Sequence, residues 1–290
     1  MPKPSVAVAI PAYNEADGVG GFLEEIARAL APHVSDLTMV VVDDASTDDT
    51  ASVLLSAGSK VQAKLDVVRN PINCGHGPSL LVAYRRALQT EPDYVLQVDG
   101  DGQFHGSDLR RVLVLLMDDA HAVSGVRRFR VDPWFRMAMS RLIRIYIASS
   151  FAVRARDPNC PLRGYDAELL GELLEALPRD CLVPNLYLTI VASRRGIPLL
   201  EVDVSHRVRR GREAGGSTWR GARISPIPAR LVRFSLAALW ESRKLRTRMG
   251  LSPPAGSHRG PLSEPERPRT SGPESPEPTA VRQAGPSGPP

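Results

Sequence analysis

Two aspartates one glycine apart, Asp99 and Asp101, close the apolar run Tyr94 to Val98, and Gly102 and Gln103 follow directly. Carboxylates and an amide on one short turn are oxygen donors for a hard divalent cation, Mg²⁺ or Mn²⁺, which keeps further positions for substrate phosphates. The glycines let the backbone turn and approach a ligand closely. The pattern points to a metal-bridged diphosphate held by the two carboxylates of Asp99 and Asp101. Three other junctions end an apolar run in polar residues. "IPAYNE" ends in Pro11, Ala12, Tyr13 and Glu15, where Tyr13 offers a ring face to a base. "VVVDDASTDDT" places Asp43 and Asp44 where carboxylates can accept from ribose hydroxyls or a base N–H. "NPINCGHGPS" puts Asn73, Gly75 and Gly77 ahead of a helix N-terminus, whose N–H groups favour an anion. Taken singly, each of these three also reads as a turn or a helix cap.

For the junctions to meet, the runs before them must be neighbouring strands. Residues 5–10, 37–42, 65–69, 94–98 and 122–125 read as strands, and the first, second and fourth are apolar at nearly every position, as strands buried on both faces must be. Residues 17–30, 50–58, 79–88 and 107–119 between them carry helical spacing. The alternation predicts a mostly parallel α/β sheet with helices on both faces, which binds ligands beyond the carboxyl ends of its strands. Further helices are expected at 134–153, near 184–194 and at 229–246, with a strand at 198–204 and a basic loop at 205–219. The last helix has a broad apolar face that includes Leu239 and Trp240.

Charge divides the chain. Residues 1–121 carry a net −8 and residues 122–249 a net +13, nearly all of the positive charge being arginine. Arginine suits bidentate phosphate contacts. The arginines are not interleaved with aromatics, so no nucleic-acid partner is expected. The expected organisation is a first half at 1–125, a second half with amphipathic helices at 126–250, and a disordered Pro/Gly/Ser-rich tail at 251–290. Cys74, Cys160 and Cys181 form no C-x-x-C pair, so neither a disulfide framework nor a zinc site is expected. The chain starts without a charged-then-apolar leader and has no run of about 20 apolar residues. The expected location is the cytoplasm, with peripheral contact on the inner face of the membrane, directly or through a membrane partner.

"IPAYNE", "VVVDDASTDDT" and "QVDGDGQF", in that order and spacing, resemble the family 2 glycosyltransferases of GT-A (Rossmann-like) fold, over roughly residues 4–246. The resemblance implies inverting, metal-dependent transfer of a hexose from a nucleotide diphosphate sugar, a GDP- or UDP-sugar. It implies that Pro11, Tyr13, Glu15, Asp43 and Asp44 hold base and ribose, that Asp99, Asp101 and Gln103 hold the metal and diphosphate, and that Ala12, Asn73, Gly75 and Gly100 complete the nucleotide-sugar site, with residues 1–125 as the nucleotide-sugar-binding half and 126–250 as the acceptor half. Within the family the chain is most similar to the dolichyl-phosphate and polyprenyl-phosphate sugar synthases, through D-x-D-x-Q at Asp99 to Gln103, "SGVR" at 124–127 and R-x-x-x-S at Arg136 to Ser140, while "DPNCPLR" at 157–163 departs from their D-P-x-x-G-F segment with Pro161 and Leu162 in place of Gly-Phe. A polyprenyl phosphate is then the implied acceptor, with Arg127, Arg136, Ser140 and Arg207 at its phosphate and Asp101, Arg127 and Arg207 as the catalytic set. The other reading is a soluble family 2 enzyme acting on a hydroxyl of a metabolite or saccharide. That chemistry needs a general base. Family members of that kind commonly carry Glu-Asp where this chain has Pro184 and Asn185, with Asp180 close by in sequence.

Overall fold

The computed structural model describes residues 2–128, 134–207 and 229–249, with backbone alone at 134–140, 229–236 and 248. The expected tail at 251–290 lies outside the described residues.

The first half alternates as its apolar runs require. In order come β1 (Ser5–Ala12), α1 (Val19–Leu30), β2 (Asp36–Asp43), α2 (Thr50–Ala57), β3 (Lys64–Arg69), α3 (His76–Leu88), β4 (Tyr94–Gln97), α4 (Gly106–Met117) and β5 (Ala122–Arg127). Then follow α5 (Trp134–Phe151), β6 (Arg163–Asp166), α6 (Ala167–Glu175), α7 (Pro184–Arg194), β7 (Leu200–Val204) and α8 (Ala229–Arg248). The seven strands form one mixed sheet in the order β3-β2-β1-β4-β6-β5-β7. All pairings are parallel except those of β6, which runs against β4 and β5.

Side-chain alternation sends each strand's apolar residues to two cores. Val8, Ile10, Met39, Val41 and Leu96 meet the apolar stripes of α1, α2 and α4 on one side. In α1 that stripe is Val19, Phe22, Leu23, Ile26, Ala27 and Leu30, at helical spacing. Ala7, Ala9, Val40, Val42 and Val95 face α3, α6 and α7 on the other, with Ile147 and Phe151 of α5 and Leu245 of α8 added to that core. Trp240, on the apolar face expected of α8, is 59% exposed. Among the described residues no helix is long and apolar enough to cross a membrane.

Strand β6 is absent from the sequence expectation. Its first residue, Arg163, is fully buried and donates to the carbonyls of Pro158 (2.6 Å) and Cys160 (2.9 Å) and to the hydroxyls of Tyr165 (3.1 Å) and Thr189 (3.0 Å). Four acceptors replace the water that a buried guanidinium loses.

Candidate active site

Strand register brings the predicted junctions together. Ala12 pairs with Asp43 across β1 and β2, and Ala9 with Gln97 across β1 and β4. Beyond β4 the chain stays beside β1, the N–H of Gly100 donating to Pro11 O at 3.0 Å. A Cβ at position 100 would stand 3.1 Å from Ala12 Cβ and 3.2 Å from Pro11 O, tighter than side chains ordinarily pack. Glycine there lets the two strand ends close on one another.

The adjacent aspartates do different work. Asp44 accepts three hydrogen bonds of 2.8 Å, from Asn70 Nδ2 and the N–H groups of Cys74 and Gly75, and Asn73 Nδ2 donates to its carbonyl at 3.2 Å. Its carboxylate therefore anchors the loop between β3 and α3, a structural task the sequence reading did not give it. Gly75 sits there at φ 91°, a conformation that favours glycine. Asp43 is fully buried; its Oδ1 accepts from Ser46 N at 2.9 Å, and its Oδ2 is buried without a hydrogen-bond partner, 3.5 Å from Arg69 Nε. A buried carboxylate oxygen that lacks a donor is poised for a ligand N–H or hydroxyl. Glu15 is buried, and its N–H donates to Thr50 Oγ1 at 2.8 Å, while Pro11 and Ala12 are buried and Tyr13 is half-buried.

The anchored loop presents His76 to the D-x-D turn, with Nε2 3.8 Å from Asp99 Oδ1. Asp99 Oδ1 also accepts from Gln97 Nε2 at 3.2 Å. Gln97 is fully buried; its Oε1 accepts from Asn185 Nδ2 at 3.2 Å, and Asn185 Oδ1 accepts from Tyr84 OH at 3.3 Å. Burial holds the Tyr84 phenol well above its ordinary pKa, so it stays a donor. Asp101 Oδ1 accepts from Gln103 N at 3.0 Å. Among the described residues no three His, Cys, Asp or Glu side chains form a complete metal cage. Two carboxylates and an amide, one carboxylate oriented by a second residue's amide, nonetheless fit a Mg²⁺ or Mn²⁺ ion whose remaining positions go to phosphate oxygens.

The arginines arrive with partners. Arg207 shares two backbone contacts with this turn, donating N–H to Gln103 O at 2.9 Å and accepting from Gln103 Nε2 at 3.4 Å. Its guanidinium donates to Gly102 O (2.5 Å) and to both oxygens of Glu25 (3.3 and 2.9 Å), and lies 3.0 Å from His105 Nδ1. Arg127 grips Asp157 with both prongs, at 2.7 and 2.9 Å. Arg207 thus braces the D-x-D turn and Arg127 ties the end of β5 to Asp157, a positioning task beside the phosphate-binding one expected of them. The side chains of Arg136 and Ser140 lie outside the described residues. Gln97 and Glu25 gave no signal in the sequence: Gln97 reads as strand interior, and Glu25 as an ordinary helix-surface acid.

Neighbouring strand ends that gather a carboxylate-bearing turn and a glycine-containing loop over a seven-stranded mixed sheet define a GT-A fold. The chain belongs to glycosyl transferase family 2, whose model matches residues 7–180. Relatives include the undecaprenyl-phosphate 4-deoxy-4-formamido-L-arabinose transferases of Serratia proteamaculans (strain 568), 26% identical over 70% of this chain and 61% of that protein, and of Enterobacter sp. (strain 638), 28% identical over 78% and 66%. The chain thus spans about three fifths of the length of the first of these. Among solved structures, glucosyl-3-phosphoglycerate synthase from Mycobacterium tuberculosis, in complex with Mn²⁺, UDP-glucose and phosphoglyceric acid, superimposes with a TM-score of 0.59 at 20% identity, over 86% of this chain and 81% of that one.

Proposed function

We propose that the protein is an inverting hexosyltransferase that moves a sugar from a nucleotide diphosphate sugar to a polyprenyl phosphate. The observation that carries the choice of acceptor is Asn185. It stands where hydroxyl-transferring members of the family commonly place an acid, it is 2% exposed, and its amide is engaged by Gln97, Tyr84 and the Cys160 carbonyl. A hydroxyl acceptor needs a base to take its proton. A phosphate monoester is already anionic near neutral pH and needs only orientation and cationic neighbours. The names of the undecaprenyl-phosphate transferase relatives support the same acceptor class.

On this reading Asp43 Oδ2 accepts from the base or ribose, and Tyr13 packs on the base. Asp99, Asp101 and Gln103 would hold Mg²⁺ or Mn²⁺, which when bound supplies Lewis-acid neutralisation of the departing diphosphate. His76 stands beside the same turn, its Nε2 3.8 Å from Asp99 Oδ1. Arg207 fixes the carbonyl of Gly102 and so the shape of the turn, while Arg127 and Arg136 flank the acceptor phosphate as it attacks the anomeric carbon. The test compares a short polyprenyl phosphate with its free alcohol under identical donor and metal conditions. Transfer to the phosphate alone is expected. Equal transfer to the alcohol would move the reading to a hydroxyl acceptor.

A further inference from the structure

A groove of about 450 Å³ lies apart from the D-x-D turn and shares no residue with it. One wall is the stripe Arg141, Arg144, Ile145 and Ala148 of α5. The other is the returning strand of chain at Arg154, Ala155 and Arg156, reversed by Ala152 at φ 56°, with Glu201 at its edge. Arg156 is internally engaged, its N–H on Glu201 Oε1 and its guanidinium on Asp203 Oδ1, both at 2.6 Å. Arg141, Arg144 and Arg154 are exposed and have no carboxylate partner among the described residues. Beside them two large aliphatics face solvent, Leu142 at 61% and Ile145 at 56% exposed.

We infer that this groove and the outward face of α5 dock on an anionic phospholipid surface. Three uncompensated guanidinium groups attract phosphates, and arginine holds them by paired hydrogen bonds. A soluble anion would satisfy that charge and leave Leu142 and Ile145 in water. A bilayer surface accepts both, with phosphates at the level of the arginines and an acyl boundary beneath for the aliphatics. The purpose of the surface rests on the polyprenyl-phosphate reading, since it brings the enzyme to the membrane that carries such an acceptor, but the surface can be tested without any sugar transfer.

The test is co-sedimentation of the full chain with vesicles of phosphatidylcholine alone and of phosphatidylcholine mixed with phosphatidylglycerol. Binding is expected on the anionic vesicles only, weakening as salt shortens the Debye length. Each arginine lost near such a surface lowers the partition about fivefold, so the combined R141Q, R144Q and R154Q variant is expected to fall on the order of a hundredfold. L142S with I145S is expected to weaken binding while keeping its salt dependence. Undiminished binding by the arginine variant, absence of binding to anionic vesicles, or release of the protein by millimolar inorganic phosphate at constant ionic strength would each overturn the inference. The arginine variant is expected to keep parental turnover on a short, water-soluble polyprenyl phosphate. Failure of the polyprenyl-phosphate reading would appear instead as absent turnover in the parent protein, with vesicle binding unaffected.

Discussion

Gln97 donates its side-chain amide to Asp99 Oδ1 at 3.2 Å, from a position with no exposure to solvent. Asn185 holds the other end of that amide, so an acid of the D-x-D turn is aimed by a residue on α7 that is 88 positions away from its contact in sequence. Second residues of this kind usually change metal affinity about 10–100-fold when removed. Gln97→Leu and Asn185→Leu are therefore expected to raise the Mn²⁺ concentration for half-maximal activity, and the Mn²⁺ dissociation constant measured by titration in the presence of nucleotide, by at least about tenfold. Unchanged Mn²⁺ affinity in both would remove the positioning role.

The neighbours Asp43 and Asp44 separate by readout. Asp44 is a buried carboxylate with three donors that would lose their charged acceptor, so Asp44→Ala is expected to cost about 2–4 kcal/mol in denaturant unfolding without any ligand present. Asp43→Asn keeps one acceptor oxygen for Ser46 N but removes the charge beside Arg69, and its main effect is expected in nucleotide affinity measured by calorimetry. Equal stability loss in the two variants would deny the division.

Arg207 and Glu25 join the segment after β7 to α1 beside the D-x-D turn, where Arg207 also donates to Gly102 O. Both side chains are about one fifth exposed, so screening limits the pair, and a coupling energy of about 1–2 kcal/mol is expected from a double-mutant cycle of Arg207→Met and Glu25→Gln. Arg207→Met is also expected to lower kcat strongly. Loss of kcat with no coupling to Glu25 would assign Arg207 to the acceptor phosphate alone.

His121 and Asp166 lie 2.5 Å apart where β5 begins and β6 ends, and this hydrogen bond raises the histidine pKa above its ordinary 6.5. The folded form thus holds the proton more tightly than the unfolded one. The stabilisation is complete below the unfolded value of 6.5 and disappears as pH rises through the higher folded value. The melting temperature of the parent protein should exceed that of His121→Gln at mildly acid pH and converge with it in alkaline buffer. A difference that grows with pH would reverse the sign.

The strands of the first half were legible because a strand covered on both faces must be apolar at almost every position, as Val8, Ile10, Val40 and Val41 are. Strand β6 was not, because its sequence Arg163-Gly164-Tyr165-Asp166 carries two charges, and only the folded chain supplies the four acceptors that let Arg163 be buried. The D-x-D turn was legible from residue types alone. The partners that aim it were not, since Gln97 and Asn185 meet only after β4 and α7 pack. The same holds for Arg127 and Arg207: their charge was evident, whereas Asp157 and Glu25 are brought to them by the fold.

The central claim is best tested by following nucleoside diphosphate release from GDP-mannose, UDP-glucose and UDP-N-acetylglucosamine on purified full-length protein, with and without a short polyprenyl phosphate and with Mn²⁺, Mg²⁺ or chelator. The account predicts release from one donor that needs both the lipid phosphate and the divalent ion and is lost in Asp101→Ala. Release that the lipid phosphate does not stimulate, or that persists in Asp101→Ala, would contradict it.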